Sequence, residues 1–119
     1  MKKGVHIISN FFDCKNGDLL IDKKKLNAFL TKTIKKNGLT ILKKYFHKFG
    51  DEGGITGYIL LAESHVSIHT WPERENYISF DIFVCNLNSD NTAKAKKIYD
   101  EVVKGFNPVR KDETFLDRD

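Results

Sequence analysis

Glu63-Ser64-His65-Val66-Ser67-Ile68-His69 puts a hydroxyl and two imidazoles into one short run near the middle of a 119-residue chain. A hydroxyl beside a base is the pairing that nucleophilic chemistry needs. The run sits where two strands should join. Ile55 to Ala62 reads as a buried strand that stops at Glu63-Ser64, after which small or apolar residues alternate with polar ones. A period of two places His65, Ser67, His69 and Trp71 on one face of the second strand, with Val66, Ile68 and Thr70 on the other. The junction lacks the Gly, Asn or Pro of an ordinary hairpin turn. It reads as a place for chemistry.

The elements that must position this junction follow from periodicity and caps. Gly4 to Phe12 is a β-rich first strand, in which His6 reads as a satisfied structural histidine. A loop from Asp13 to Asp18 contains Cys14, read as a small structural residue. Asp22 can cap a helix from Lys23 to about Asn37, with Leu26, Phe29, Leu30, Thr33 and Ile34 on one face and Asn37-Gly38 as its stop. Leu39 to Phe49 resumes as a strand, followed by the bendable Gly50-Asp51-Glu52-Gly53-Gly54. Tyr77 to Cys85 is a further strand with Tyr77, Ser79, Asp81, Phe83 and Cys85 on one face. Ser89 or Asp90 caps a second helix, ending near Gly105, whose apolar stripe is Ala95, Ile98, Tyr99, Val102, Val103 and Phe106. The tail from Asn107 predicts a short strand at most, then fraying. The pattern is α+β: a two-layer sandwich with helices on one face of an antiparallel sheet. Its other face would be bare, and packing two such sheets together in a homodimer would cover it.

Residues 1–119 make one domain. Apolar residues are 40% and charged ones 30%, an ordinary globular balance. The net charge of +4 is spread as lysines over predicted helix surfaces, with no recognition pattern for nucleic acid, which is excluded as a partner. No apolar run approaches the ~20 residues of a membrane span, and no secretory pattern follows Met1-Lys2-Lys3-Gly4, so the expected location is cytoplasmic. Cys14 and Cys85 form neither a disulfide framework nor a metal quartet; both are expected to be reduced, and no metal is expected.

The central run resembles the self-cleaving junction of the S-adenosylmethionine decarboxylase proenzymes of bacteria and archaea, whose hallmark is Glu-Ser-His-x-Ser/Thr-x-His-Thr-Trp-Pro-Glu. Every fixed position is matched from Glu63 to Glu73. Gly54-Ile55-Thr56-Gly57 upstream and Phe80-Asp81-Ile82-Phe83-Val84-Cys85 downstream lie close to the family's spacing, with one extra residue in the Arg74-Glu75-Asn76 turn. The resemblance implies that Ser64 attacks the Glu63 carbonyl and that the chain divides into 1–63 (beta chain) and 64–119 (alpha chain). Residue 64 becomes a covalent pyruvoyl group, the electron sink for decarboxylation. By the same resemblance, His69 is the base in processing, Thr56 steadies the processing intermediate, and Cys85 is the proton donor in decarboxylation. An imidazole, with its ordinary pKa near ~6.5, and a thiol, near ~8.5, suit those roles. His65 is assigned a positioning or structural part.

The implied reaction converts S-adenosylmethionine to its decarboxylated form, the aminopropyl donor for spermidine and other polyamines. A sulfonium and an adenine call for aromatic walls and an acid, which Phe46, Phe49, Trp71 and Glu73 can supply. The loop before Gly53 departs from the Pro-Tyr/His-Gly form common in the family. Its extra carboxylates, Asp51 and Glu52, would also suit a basic amino acid such as ornithine or arginine, the second reading within the enzyme class. An unprocessed regulatory subunit is the alternative of another class.

Overall fold

The computed structural model describes residues 3–119. Met1 and Lys2, the start of the stretch expected to lead into the first strand, lie outside the described residues. The elements run β1 (Gly4–Phe12), α1 (Asp18–Ile21), α2 (Lys23–Lys36), β2 (Ile41–Lys48), β3 (Ile55–Leu61), β4 (Ser64–Trp71), β5 (Tyr77–Cys85), α3 (Thr92–Phe106) and β6 (Arg110–Arg118). They form one six-stranded sheet in the order β2-β3-β4-β5-β1-β6, antiparallel throughout. The fold is α+β, as the alternation and helical stripes imply.

Local chemistry accounts for the element ends. The Asp22 carboxylate accepts the Lys25 backbone N–H at 3.0 Å and starts α2. Past its end, Gly38 takes a positive φ of 85° that a side chain would resist. On α2, Leu26, Leu30, Thr33 and Ile34 are buried; on α3, Ala95, Ile98, Tyr99, Val102 and Phe106 are. They close over one face of the sheet, where Ile7, Phe11, Val66, Ile68, Ile78, Phe80, Ile82 and Val84 complete the core. Each such side chain contributes roughly 1.5–3 kcal/mol on burial. That layer makes the sheet a stiff platform for its other face.

Several expectations need correction. Asp18 belongs to a short helix, α1, rather than to the loop, because Leu19 and Leu20 insert into the core. The helix α3 starts at Thr92 with Asn91 at its N-cap, although the Asp90 carboxylate does accept the Thr92 N–H at 3.0 Å. Leu39 and Thr40 precede β2 instead of opening it. The tail does not fray: β6 pairs with all of β1, from Gly4 opposite Arg118 to Phe12 opposite Arg110. Side-chain contacts anchor it. Tyr99 donates its hydroxyl to Glu113 and meets Phe115 edge-on, while Arg110 and Arg118 lie over Phe12 and Phe83. Charge on both sides of an edge strand hides the period that would have revealed it.

Candidate active site

The face opposite the helices carries Thr56, Tyr58 and Leu60 of β3, His65, Ser67, His69 and Trp71 of β4, and Ser79, Asp81, Phe83 and Cys85 of β5. The cross-strand register sets His65 beside Leu60 and Phe83, and His69 beside Thr56 and Ser79, while Ser64, at the start of β4, lies opposite the core residues Leu61 and Val84. β4 therefore has two ends with different equipment.

At its first end, β3 turns into β4 through Ala62 and Glu63. Without the usual turn residues, the awkward geometry falls on Ser64, whose φ is 145°. A non-glycine residue held there costs of order 1–3 kcal/mol and persists only where its surroundings dictate it. They do so on the Glu63 side. The Ala62 N–H donates to the Thr40 carbonyl at 2.9 Å, and the Thr40 N–H donates to the Glu63 carboxylate at 3.0 Å. The Cys85 N–H donates to the Glu63 carbonyl oxygen at 2.7 Å. That carbonyl belongs to the Glu63–Ser64 bond, so a backbone donor is aimed at the oxygen that would gain charge if the bond were attacked. Sequence reasoning missed this donor, because no side-chain type announces it. Glu63, Cys85, Asn88 and Asn91 help line a cleft of about 170 Å³ here.

The second end is a larger cleft, about 410 Å³, lined by Phe49, Gly53, Gly54, Thr56, His69, Thr70, Trp71 and Glu73. The Thr56 hydroxyl and His69 Nδ1 are 3.1 Å apart, and the His69 and Trp71 rings lie 5.9 Å apart. Gly54 is required by space: a Cβ there would stand 1.9 Å from the Thr70 carbonyl oxygen. Phe46 does not join this cleft. It is buried with the core and lies flat against Gly57 and near Ile68, on the helix side of the sheet. Alternation along β2 explains the correction, since Phe46 and the cleft residue Thr56 occupy opposite faces.

The structure thus joins Phe49, Thr56, His69, Trp71 and Glu73 at one end, and Glu63, Ser64 and Cys85 at the other. It does not bring the two groups together. Five residue steps along the strand separate Ser64 from His69, on the order of 17 Å.

Between the ends lies a polar cluster. His6 and His65 each donate Nε2–H to Asp81 Oδ2, at 2.7 and 3.0 Å, and Ser67 donates its hydroxyl to Asp81 Oδ1. Arg118 donates to His6 Nδ1 at 3.2 Å, which fixes that imidazole as the Nε2–H tautomer. His6, His65 and Asp81 each bring one atom able to ligate a metal, all within 4.8 Å of one another. Burial alone would raise the Asp81 pKa; the hydrogen bonds from Ser67, His6 and His65 outweigh it and hold the carboxyl below its ordinary value. Sequence reasoning placed Asp81 on this face without a role. A carboxylate among the apolar residues of an inner strand was the available signal. Cys14, by contrast, is buried, and burial followed by the nearby Asp13 charge pushes its thiol up to about 12, in keeping with a structural part.

No helix in the described residues is long and apolar enough to cross a membrane. Residues 5–119 match the family described as S-adenosylmethionine decarboxylase. An S-adenosylmethionine decarboxylase proenzyme of Hydrogenobaculum sp. is 35% identical over 97% of this chain and 81% of its own length. One from Clostridium botulinum is 40% identical over 74% of this chain and 73% of its own. The crystal structure of the adenosylmethionine decarboxylase from Aquifex aeolicus superposes with a TM-score of 0.85 at 29% identity, covering 98% of this chain and 91% of that one. With its cleavage-type junction, its fold and these likenesses in agreement, the chain belongs to the S-adenosylmethionine decarboxylase family.

Proposed function

We propose that this chain is a self-processing proenzyme that becomes a pyruvoyl-dependent decarboxylase of S-adenosylmethionine, a carboxy-lyase supplying the aminopropyl donor for polyamine synthesis. The observation that carries this reading is Ser64 at φ 145° beside a carbonyl already met by the Cys85 N–H.

Processing uses the chain's own atoms. The Ser64 hydroxyl attacks the Glu63 carbonyl carbon, and the oxyanion gathers on the oxygen held by Cys85 N–H. The C–N bond breaks as the nitrogen takes the proton, leaving an ester. A base removes the Ser64 Cα proton, the Cβ–Oγ bond breaks, and Glu63 departs as a free carboxylate. Water then replaces the nitrogen at residue 64, releasing ammonia. His69 suits the base: with Nδ1–H donated to Thr56 Oγ1, Nε2 is bare, and the Thr56 hydroxyl hydrogen stays available to an oxyanion.

Within one chain that base is too far away. The bare sheet face exposes Ile8, Tyr58, Leu60 and Leu116. A second copy packed isologously on this face would lay its His69–Thr56 end against the first copy's Ser64–Cys85 end. We read the active unit as a homodimer with two shared sites. Phe49 and Trp71 would face the adenine and sulfonium, and Glu73 would meet the positive charge.

The strained serine, its backbone donor and the neighbouring thiol fit a pyruvoyl group at position 64. That group supplies the electron sink that protein side chains lack. Cys85 follows Val84, the β5 register partner of Ser64, and is the residue we assign to return a proton to the substrate carbon. Arg118 already sets positive charge beside the His6–Asp81–His65 cluster, so we read the cluster as a hydrogen-bonded network and assign no metal to the reaction.

Intact mass and carbon dioxide release test the reading. Wild type should divide between Glu63 and Ser64 and release carbon dioxide from S-adenosylmethionine, with ornithine and arginine assayed beside it. Ser64→Ala should stay one chain and lose at least ~10⁴-fold in turnover. A persistently uncut wild type would sink the proposal.

A further inference from the structure

Chain cleavage changes what holds residue 64, and the polar cluster stands where the lost restraint must be replaced. Before cleavage, the strain is imposed from the Glu63 side by Thr40 and Cys85. Afterwards those contacts hold only the end of the departing segment. Residue 64 loses its amide nitrogen and becomes a chain end, attached to the sheet through His65.

His65 is the first residue of β4 whose side chain is tied across strands. Its Nε2–H reaches Asp81 on β5, and the same oxygen accepts from His6 on β1, which accepts in turn from Arg118 on β6. Its ring also stacks on Tyr58 of β3 at 5.5 Å and 24°. Side chains of β1, β3 and β5 thus meet this ring directly, and Arg118 of β6 joins them through His6.

We propose that His65, held by Asp81, His6 and Arg118, is a positioning residue that keeps the group at position 64 aligned with Cys85 after the chain has been cut. The proposal rests on the self-processing reading above. It assigns the cluster to the mature enzyme rather than to the cut, because the cut is arranged from the other side of the bond.

Two substitutions separate this from a merely structural role. His65→Phe keeps the ring and its packing on Tyr58 but cannot donate to Asp81. His65→Gln loses the ring but can place an amide N–H near the same point. Both should cut to completion at close to the wild-type rate. His65→Phe should then lower kcat about tenfold with KM unchanged, whereas His65→Gln should stay within about twofold of wild type. Hydrogen exchange at the Val66 and Ser67 amides gives a readout independent of turnover. It should quicken in cleaved His65→Phe relative to cleaved wild type, and remain unchanged between the uncut forms made on a Ser64→Ala background. Unchanged kcat and exchange in His65→Phe would overturn the proposal, as would a His65→Gln variant no better than His65→Phe. Should His65→Phe fail to fold, Asp81→Asn is measured the same way, with lowered kcat expected and wild-type kcat overturning. A wild type that never cuts, by contrast, marks failure of the self-processing reading itself.

Discussion

The two ends of β4 share one strand and one covering layer of helices, yet they are built from different materials. The Ser64 end is made by the backbone: a strained φ, a Thr40 N–H on the Glu63 side chain, and a Cys85 N–H on the Glu63 carbonyl. The His69 end is made by side chains, with an imidazole, an indole, a phenyl ring and a carboxylate around a cleft of about 410 Å³. On the reading proposed above, one end has the nucleophile, the bond to be cut and the thiol, and the other has the base and the aromatic walls. Each would then be an incomplete site, since β4 holds the two ends of one chain apart, and that difference is the reason for proposing two copies.

Subunit mixing tests this comparison most severely. Ser64→Ala and His69→Ala chains, distinguished by mass, are each expected to stay uncut alone. Co-expressed, they should form mixed dimers in which the His69→Ala chain is cut by the base of its companion. Random pairing leaves half of the dimers mixed, so roughly a quarter of all chains should appear cut, every one of them carrying His69→Ala. No cleavage in the mixture would mean that His69 serves its own chain or does not serve at all.

Gly54→Ala sharpens the same contrast from the side-chain end. The added carbon meets the Thr70 carbonyl oxygen at 1.9 Å, so the backbone beside Thr56 must move. A displacement near ~1 Å can cost on the order of 10²-fold in a positioned reaction. The expected result is a drop of that size in kcat/KM, while the strained Ser64 and its Glu63 contacts, at the far end, keep their geometry. If kcat/KM holds at the wild-type value, the large cleft is not where substrate binds.

How much of this was legible in the sequence differs between the two ends for the same reason. His69, Trp71 and Glu73 announce themselves by type and spacing, and the period of two set the open face correctly. The Cys85 N–H could not be read, because every residue but proline has one and only the register aims it. Phe46 and Phe49 look alike in sequence, and strand alternation buried one against Gly57 and left the other at the cleft. The tail gives no strand signal because β6 is an edge strand exposed along both faces, so burial leaves no period in it. Its Arg118 reaches the cluster only through a pairing that spans nearly the whole chain. Long-range hydrogen bonds between residues as distant as His6 and Asp81 have no local signature at all.

The smallest expected effect concerns the cluster between the two ends. Asp81 is half-buried, and burial by itself would favour the neutral acid. The donors on Ser67, His6 and His65 reverse that preference and hold its folded-state pKa below the ordinary carboxylate value. Stability from this ionised group is therefore fully present above the unfolded-state pKa of about 3.9, and is lost as pH falls through the lower folded value. Asp81→Asn has no such charge to lose. The variant should be less stable than wild type at neutral pH, by a few degrees in Tm, and the gap should narrow below about pH 4. Thermal melts of the uncut Ser64→Ala background across that range measure it without interference from processing. A gap that stays constant with pH would show that the cluster holds the ends of β4 by shape alone, and that the charge on Asp81 contributes nothing to keeping them in register.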